Sequence, residues 1–304
     1  MKKILQIKMR LRSTLQHLRI PFSFFLMPVY LFALGVSPNM TEGRVFWSFI
    51  LIHLFLYPAS NGYNSYFDKD EKSIGGLKNP LPVNKSLYYT ALLFDFVAVT
   101  LAYIKISPLS AIMLLIYGLV SKAYSHPAIR LKKYAIGAWL VTGLFQGFFT
   151  FLMCYVGINN FEVENLLQAK VLLPAALTSV MLWGNYPMTQ VYQHEEDAKH
   201  GDNTLSRKLG IRGTFIFVQI VFGFAALGFV FFFKEFYEIK YGYSFLIALA
   251  PVVLYFMYWF YKVWKDESRA DYTHTMWLNF ISATSLNLFF IYFFLSNSHF
   301  GGYF

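Results

Sequence analysis

Charge is the scarcest resource in this chain. Aspartate, glutamate, lysine and arginine together make up 14% of its 304 residues, where a soluble domain carries about 25%. So little charge excludes a globule that faces water on all sides. Cysteine is nearly absent: Cys154 stands alone, so no intramolecular disulfide can form. Acidic residues are also few, 16 against 26 lysines and arginines, for a net charge of +10. The basic residues are spread along the chain beside apolar stretches and form no single stripe. That distribution argues against a nucleic-acid partner and for membrane lipid.

What fills the chain is apolar: 57% hydrophobic and 20% aromatic residues. They collect in runs near the roughly 20 residues a bilayer core demands. Nine runs are expected to span, near 20–37, 45–67, 87–104, 108–121, 134–158, 171–194, 213–233, 243–261 and 276–297. Pro28, Pro58, Pro174, Pro187 and Pro251 interrupt several of them, which membrane helices tolerate. The expected fold is all-α, a polytopic membrane helical bundle forming one domain over 1–304. Its basic N-terminal segment, 1–19, precedes a first span read as a retained helix, because no small-residue cleavage site follows it. An odd number of spans puts the termini on opposite sides. Of the 26 lysines and arginines, only Arg44, Lys105, Lys170, Lys234 and Lys240 fall in the odd-numbered loops. The positive-inside rule therefore places the N-terminus in the cytoplasm. The expected location is the cytoplasmic membrane of a prokaryote.

Ionisable side chains are costly in lipid and mark function, and two polar clusters lie on the expected cytoplasmic side. One, NGYNSYFDKDEKSIGGLKNPLP (61–82), closes the second run; the other, YQHEEDAKHGDNTLSRKLG (192–210), closes the sixth. If the helices continue at about 100° per residue, Asn64, Asp68 and Glu71 share one arc, with Lys72 at its edge and Asp70 opposite. In the second cluster Gln193, Glu196 and Asp197 share a face, with Glu195 opposite. Two sets of oxygen donors that meet across a bundle suit Mg²⁺. After the fourth run, Lys122, Arg130, Lys132 and Lys133 bring positive charge to the same side, which suits a diphosphate. Each cluster alone also reads as an ordinary solvated helix end.

In order and spacing the clusters resemble the UbiA superfamily of intramembrane prenyltransferases, with N-D-x-x-D-x-x-x-D after the second helix and D-x-x-x-D after the sixth. Asn64 and Asp68 match the first motif, Asp197 matches the second, and YSHPAIRLK (124–132) is similar to the family's tyrosine–serine–proline stretch. Ser65, Lys72 and Gln193 stand where the motifs carry aspartate, and Ser121 stands four residues after Tyr117, where the family has lysine. The resemblance implies transfer of an isoprenyl group from an isoprenyl diphosphate to a lipophilic acceptor through an allylic carbocation. It implies Asp68 and Asp197 as catalytic residues and Mg²⁺ held by them with Asn64, Glu71, Gln193 and Glu196. Lys72, Lys122, Arg130 and Lys132 are expected to contact the diphosphate. Two rivals stand beside this reading. One is a catalytically degenerate member kept as a lipid-binding or assembly subunit. The other is a solute or proton-coupled transporter relaying through Asp95 and His53.

Overall fold

The computed structural model describes residues 2–298 in backbone and residues 6–298 in side chains. Among them there are thirteen α-helices and no strand. Helix α1 (Lys2–Leu18) leads through a 3-10 helix (Ile20–Phe25) to α2 (Met27–Gly35). The second span is α3 (Glu42–Ile50), a π-helical turn and α4 (Tyr57–Asp68). Single helices α5 (Lys85–Lys105) and α6 (Pro108–Ser125) follow, and then α7 (Ala135–Gly143), a second π turn and α8 (Thr150–Asn159). The second half holds α9 (Ala169–Met188), the short α10 (His194–Lys199), α11 (Leu205–Phe236), α12 (Ile239–Lys265) and α13 (Tyr272–Asn297).

Among the described residues seven helices are long and apolar enough to cross a membrane, and an eighth counts if residues 6–25 and 27–35, bent by 42°, act as one span. The run expected at 171–194 is α9, which is helical but carries Pro174 and Pro187 and is not among those seven. Within the basic N-terminal segment, helix α1 docks on the loop before α5 through Ser13 Oγ to Pro82 O (2.7 Å) and on the first turn of α5 through Thr14 to Ser86 (2.8 Å).

Local chemistry sets the helix ends. Asn84, Ser107 and Asp271 each accept a backbone N–H in the first turn of α5, α6 and α13, satisfying donors that lipid cannot. A π turn at Leu144–Phe149 interrupts the regular helical ladder between α7 and α8. Ser179 of α9 bonds to its backbone, accepting from Phe148 N at 2.9 Å and donating to Gly143 O at 2.8 Å. Only glycine fits at 147, because a Cβ there would lie 2.5 Å from the Ser179 backbone, and this close approach locks α9 to the turn.

The spans pack as a ring in chain order: α4 on α5, α5 on α6, α6 on α8, α9 on α11, α11 on α12 and α12 on α13. Helix α13 returns to α2 and closes it. One end is plugged by aromatic rings, with Phe32 stacked on Phe290 at 4.6 Å and Phe229 on Phe245 at 4.6 Å. Leu93, Phe96, Leu227 and Ile247 point outward and exposed, an apolar surface of the kind that lipid covers. Inside the ring, a cavity of about 340 Å³ opens toward the polar loops.

Candidate active site

The cavity joins two environments. Phe145, Met181, Phe222, Phe229 and Phe290 line its apolar part, and Asp68, Asp70, Glu196, Asp197 and Asp202 line its polar mouth.

Helix α4 ends on Asp68 because Lys69 adopts the left-handed conformation (φ 53°) and its N–H closes on Ser65 O. Asp68 is thereby held at the mouth, 6% exposed. Asn64, one turn earlier, donates Nδ2 to Asp68 Oδ2 at 2.7 Å, and Ser125 donates to Asn64 Oδ1 at 2.7 Å. This second bond fixes which way the amide faces. Lys132 is ion-paired with Asp68 and stands 3.4 Å from Asp202. Arg130 forks onto Asp202 through two bonds of 3.0 Å and reaches Asp68 at 3.9 Å. The bidentate geometry holds the Arg130 side chain fully charged, its pKa raised by Asp202 and Asp68 against the opposing cost of burial. Arg130 and Lys132 thus stand where the sequence places them, beside the acids.

The same helix end overturns half of the helical-wheel expectation. Past Lys69 the chain is no longer helical, so Asp70 turns inward and Glu71 outward. Glu71 is paired with Lys199 at 3.1 Å in open solvent. Lys72 pairs with Glu195 at 2.6 Å, also exposed. Neither Glu71 nor Lys72 lines the cavity. The two pairs bridge the polar loops from outside, where ion pairs contribute little. Asp70 instead faces His200 Nδ1 at 3.8 Å. Its carboxyl is pushed up to about 6, by burial first and then by the Asp68 charge.

The second cluster also leaves the expected continuous helix. Helix α9 stops at Met188 beside Pro187, and the acids sit on the separate α10. Even so, Gln193, Glu196 and Asp197 all line the cavity. Gln193 Nε2 donates to Ser73 O at 3.3 Å, tying the two polar loops together. Asp197 accepts from Thr204 Oγ1 at 3.2 Å. Burial, followed by repulsion from Asp202, pushes Asp197 up to about 7. Glu196 is 7% exposed, and its Oε1 is buried without a hydrogen-bond partner.

Lys122 is the clearest departure. Ser121 lines the cavity and hydrogen-bonds Ser60, while Lys122, one residue on and rotated by about 100°, points between α5 and α6 into an ion pair with Asp95. It does not reach the mouth. Asp95, the transporter candidate, is thus neutralised in place. His53 lies buried among Tyr30, Phe49 and Tyr57, with Nδ1 bonded to Phe49 O at 3.1 Å.

Four lining residues carry no signal in the motif spacing: Arg19, Asp70, His200 and Asp202. Arg19 breaks α1 with a left-handed backbone (φ 46°) and folds its guanidinium inward to Gly75 O at 2.9 Å. Counted together, five lining carboxylates face two lining cations, Arg19 and Lys132, and a third, Arg130, that pairs with Asp202 and Asp68 from outside the lining. Even with Asp197 raised to about 7, the carboxylates outnumber the fixed cations near neutral pH, an arrangement that invites a divalent cation.

A profile of the UbiA prenyltransferase family matches residues 24–281. No curated protein matches the chain by sequence. Among solved structures it is similar to a digeranylgeranylglyceryl phosphate synthase, at 19% identity over 94% of this chain and 99% of that one, with a TM-score of 0.59. It is similar to a UbiA homologue from Archaeoglobus fulgidus bound to DMAPP and Mg²⁺, at 16% identity, 93% and 99% coverage and a TM-score of 0.67. A UbiA homologue from the same organism bound to GPP and Mg²⁺ matches at 18% identity, 93% and 99% coverage and a TM-score of 0.64. These neighbours share the helical fold, and the match over residues 24–281 places the chain in the UbiA prenyltransferase family.

Proposed function

We propose that the chain is an intramembrane prenyltransferase that moves an isoprenyl group from an isoprenyl diphosphate to a lipophilic acceptor. The observation that carries this is the cavity itself, with an anionic, cation-flanked mouth on an aromatic-walled apolar chamber. A diphosphate with a hydrocarbon tail is amphiphilic in the same sense. The relatives bound to DMAPP or GPP with Mg²⁺ support the donor class.

The donor set fits a hard divalent cation, since Glu196 Oε1 is buried without a hydrogen-bond partner and the carboxylates outnumber the fixed cations. Asp68, Glu196 and Asp197, with the amides of Asn64 and Gln193, would hold Mg²⁺; Glu71 is too far outside to join them. When bound, Mg²⁺ neutralises charge on the diphosphate as it leaves. Lys132, Arg130 and Arg19 hold diphosphate oxygens at the mouth. The allylic C–O bond breaks with its electron pair going to the diphosphate. The resulting cation lies against aromatic faces, Phe145, Phe222 and Phe229 among them, in a chamber that excludes water. The acceptor supplies the electron pair for the new bond and loses a proton. The basic loops at the mouth are assigned to the cytoplasm by the lysine and arginine bias.

A second reading has one observation in its favour: Asp68 is closed by Lys132, as in a member that binds donor without transferring it. One experiment separates the two. The purified protein is incubated with labelled isoprenyl diphosphates, Mg²⁺ and a lipid extract of its host, and both bound donor and prenylated product are measured. Asp68→Asn and Asp197→Asn should each lower turnover on the order of 10²-fold, and the double variant little further, because groups acting in one step are non-additive. Donor binding without product would establish the second reading, and unchanged binding and turnover in both single variants would remove the first.

A further inference from the structure

Three side chains in the mouth stand apart from the family motifs and from the Lys132 ion-pair group. Asp70, Glu196 and His200 each offer one ligand atom, all within 4.8 Å of one another. His200 lies between the two acids, Nδ1 at 3.8 Å from Asp70 and Nε2 at 3.9 Å from Glu196. Both gaps exceed a hydrogen bond. Glu196 Oε1, more than nine-tenths buried, points into the gap and has no hydrogen-bond partner. A buried carboxylate oxygen left in that state costs free energy unless something binds it. The other cation near it, Lys199 at 3.9 Å, is itself engaged by Glu71 at 3.1 Å on the solvent side.

We propose that Asp70, Glu196 and His200 form a mixed nitrogen–oxygen site for a first-row divalent transition metal, which favours Mn²⁺ over Mg²⁺ through the His200 imidazole. Mg²⁺ takes oxygen ligands and gives up water reluctantly. Imidazole is a poor partner for it and a good one for transition metals, while two carboxylates keep the site within the range of Mn²⁺. None of the three residues stands at a motif position. The motif positions 65, 72 and 193 have become serine, lysine and glutamine. The chain therefore compensates for lost aspartates with a site of different chemistry, built where Lys69 turns Asp70 inward and where α10 ends on His200.

The inference rests on the reading of the mouth as a cation-dependent diphosphate site, yet the metal is tested without donor. The full-length protein in nanodiscs is stripped of metal and titrated with Mn²⁺, free ion being followed by its paramagnetic resonance, with Mg²⁺ as competitor. Pulsed spectra report nitrogen coupling to bound Mn²⁺. His200→Gln should remove the nitrogen coupling and weaken Mn²⁺ at least about tenfold, with Mg²⁺ affinity changed less than about twofold. Glu196→Gln should weaken both ions. Mn²⁺ bound with no nitrogen coupling, or an Mn²⁺/Mg²⁺ preference unmoved by His200→Gln, overturns the proposal, with His200 then serving as an ion-pair partner of the two acids. Loss of donor binding in Asp68→Asn is read separately, so failure of the metal site and failure of the prenyltransferase reading remain distinct.

Discussion

Lys132 is the residue on which the electrostatics of the mouth turn. Its ammonium pairs with Asp68 and lies 3.4 Å from Asp202, and the side chains are 12%, 3% and 4% exposed. At an effective dielectric of about 20, the 3.4 Å contact alone is worth about 5 kcal/mol of gross attraction. Desolvation cancels part of that, and breaking a buried pair costs about 3–5 kcal/mol in practice because the partner charge is stranded. Arg130 still covers Asp202 with two bonds of 3.0 Å, so Lys132→Met should fall at the low end, about 3 kcal/mol. That corresponds to an apparent melting shift of roughly 6–12 °C. Because the stranded charge is the cause, a divalent cation should offset it. Thermal melts in nanodiscs, with and without millimolar Mg²⁺, should show Lys132→Met less stable than the parent without metal and stabilised more by adding it. Equal melting without metal, or an equal gain on adding Mg²⁺, would refute the idea that Lys132 neutralises the acids a metal would otherwise share.

Lys122→Met should destabilise by roughly 3 kcal/mol while leaving donor affinity within about twofold, and adding Asp95→Leu should recover most of the loss, because a buried pair replaced by apolar groups is close to neutral; a large drop in donor binding would return Lys122 to the site. Asp70→Asn should weaken divalent-metal binding by tenfold or more, measured by titration calorimetry, whereas Glu71→Gln and Lys72→Met should change it less than twofold and stability by about 0.5 kcal/mol at most. With Asp70 and Asp197 raised to about 6 and about 7, the folded protein binds more protons than the unfolded chain above their ordinary value near 3.8. Metal-free stability should therefore fall as pH rises from about 4 to about 7, and metal affinity should rise over the same window; melting curves flat across it would contradict the burial of these acids. Reporter fusions should show the N-terminus in the cytoplasm and the C-terminus outside, and labelling of loop 69–84 from outside intact cells would reverse that orientation.

Much of the architecture was legible because it depends on composition over long windows. Apolar runs near bilayer length require helices whatever their neighbours, and the runs around 87–104, 213–233, 243–261 and 276–297 correspond to α5, α11, α12 and α13. That the two acidic clusters share a side followed from counting spans, and that Asn64, Asp68, Gln193, Glu196 and Asp197 share a cavity agrees with their spacing.

Single-residue orientation at helix ends is a different kind of quantity. One left-handed residue, Lys69, decides that Asp70 and not Glu71 faces the mouth. A step of about 100° along α6 decides that Ser121 and not Lys122 does. Asp202 and His200 enter because α9 ends at Met188 and the chain continues into the separate α10, whose end lines the cavity. Arg19, a topological charge by sequence, reaches inside because α1 breaks there. Long-window hydropathy sums over tens of residues and so survives local irregularity. The direction of one side chain depends on a single φ/ψ pair chosen by tertiary packing, and there the sequence pattern has nothing to average.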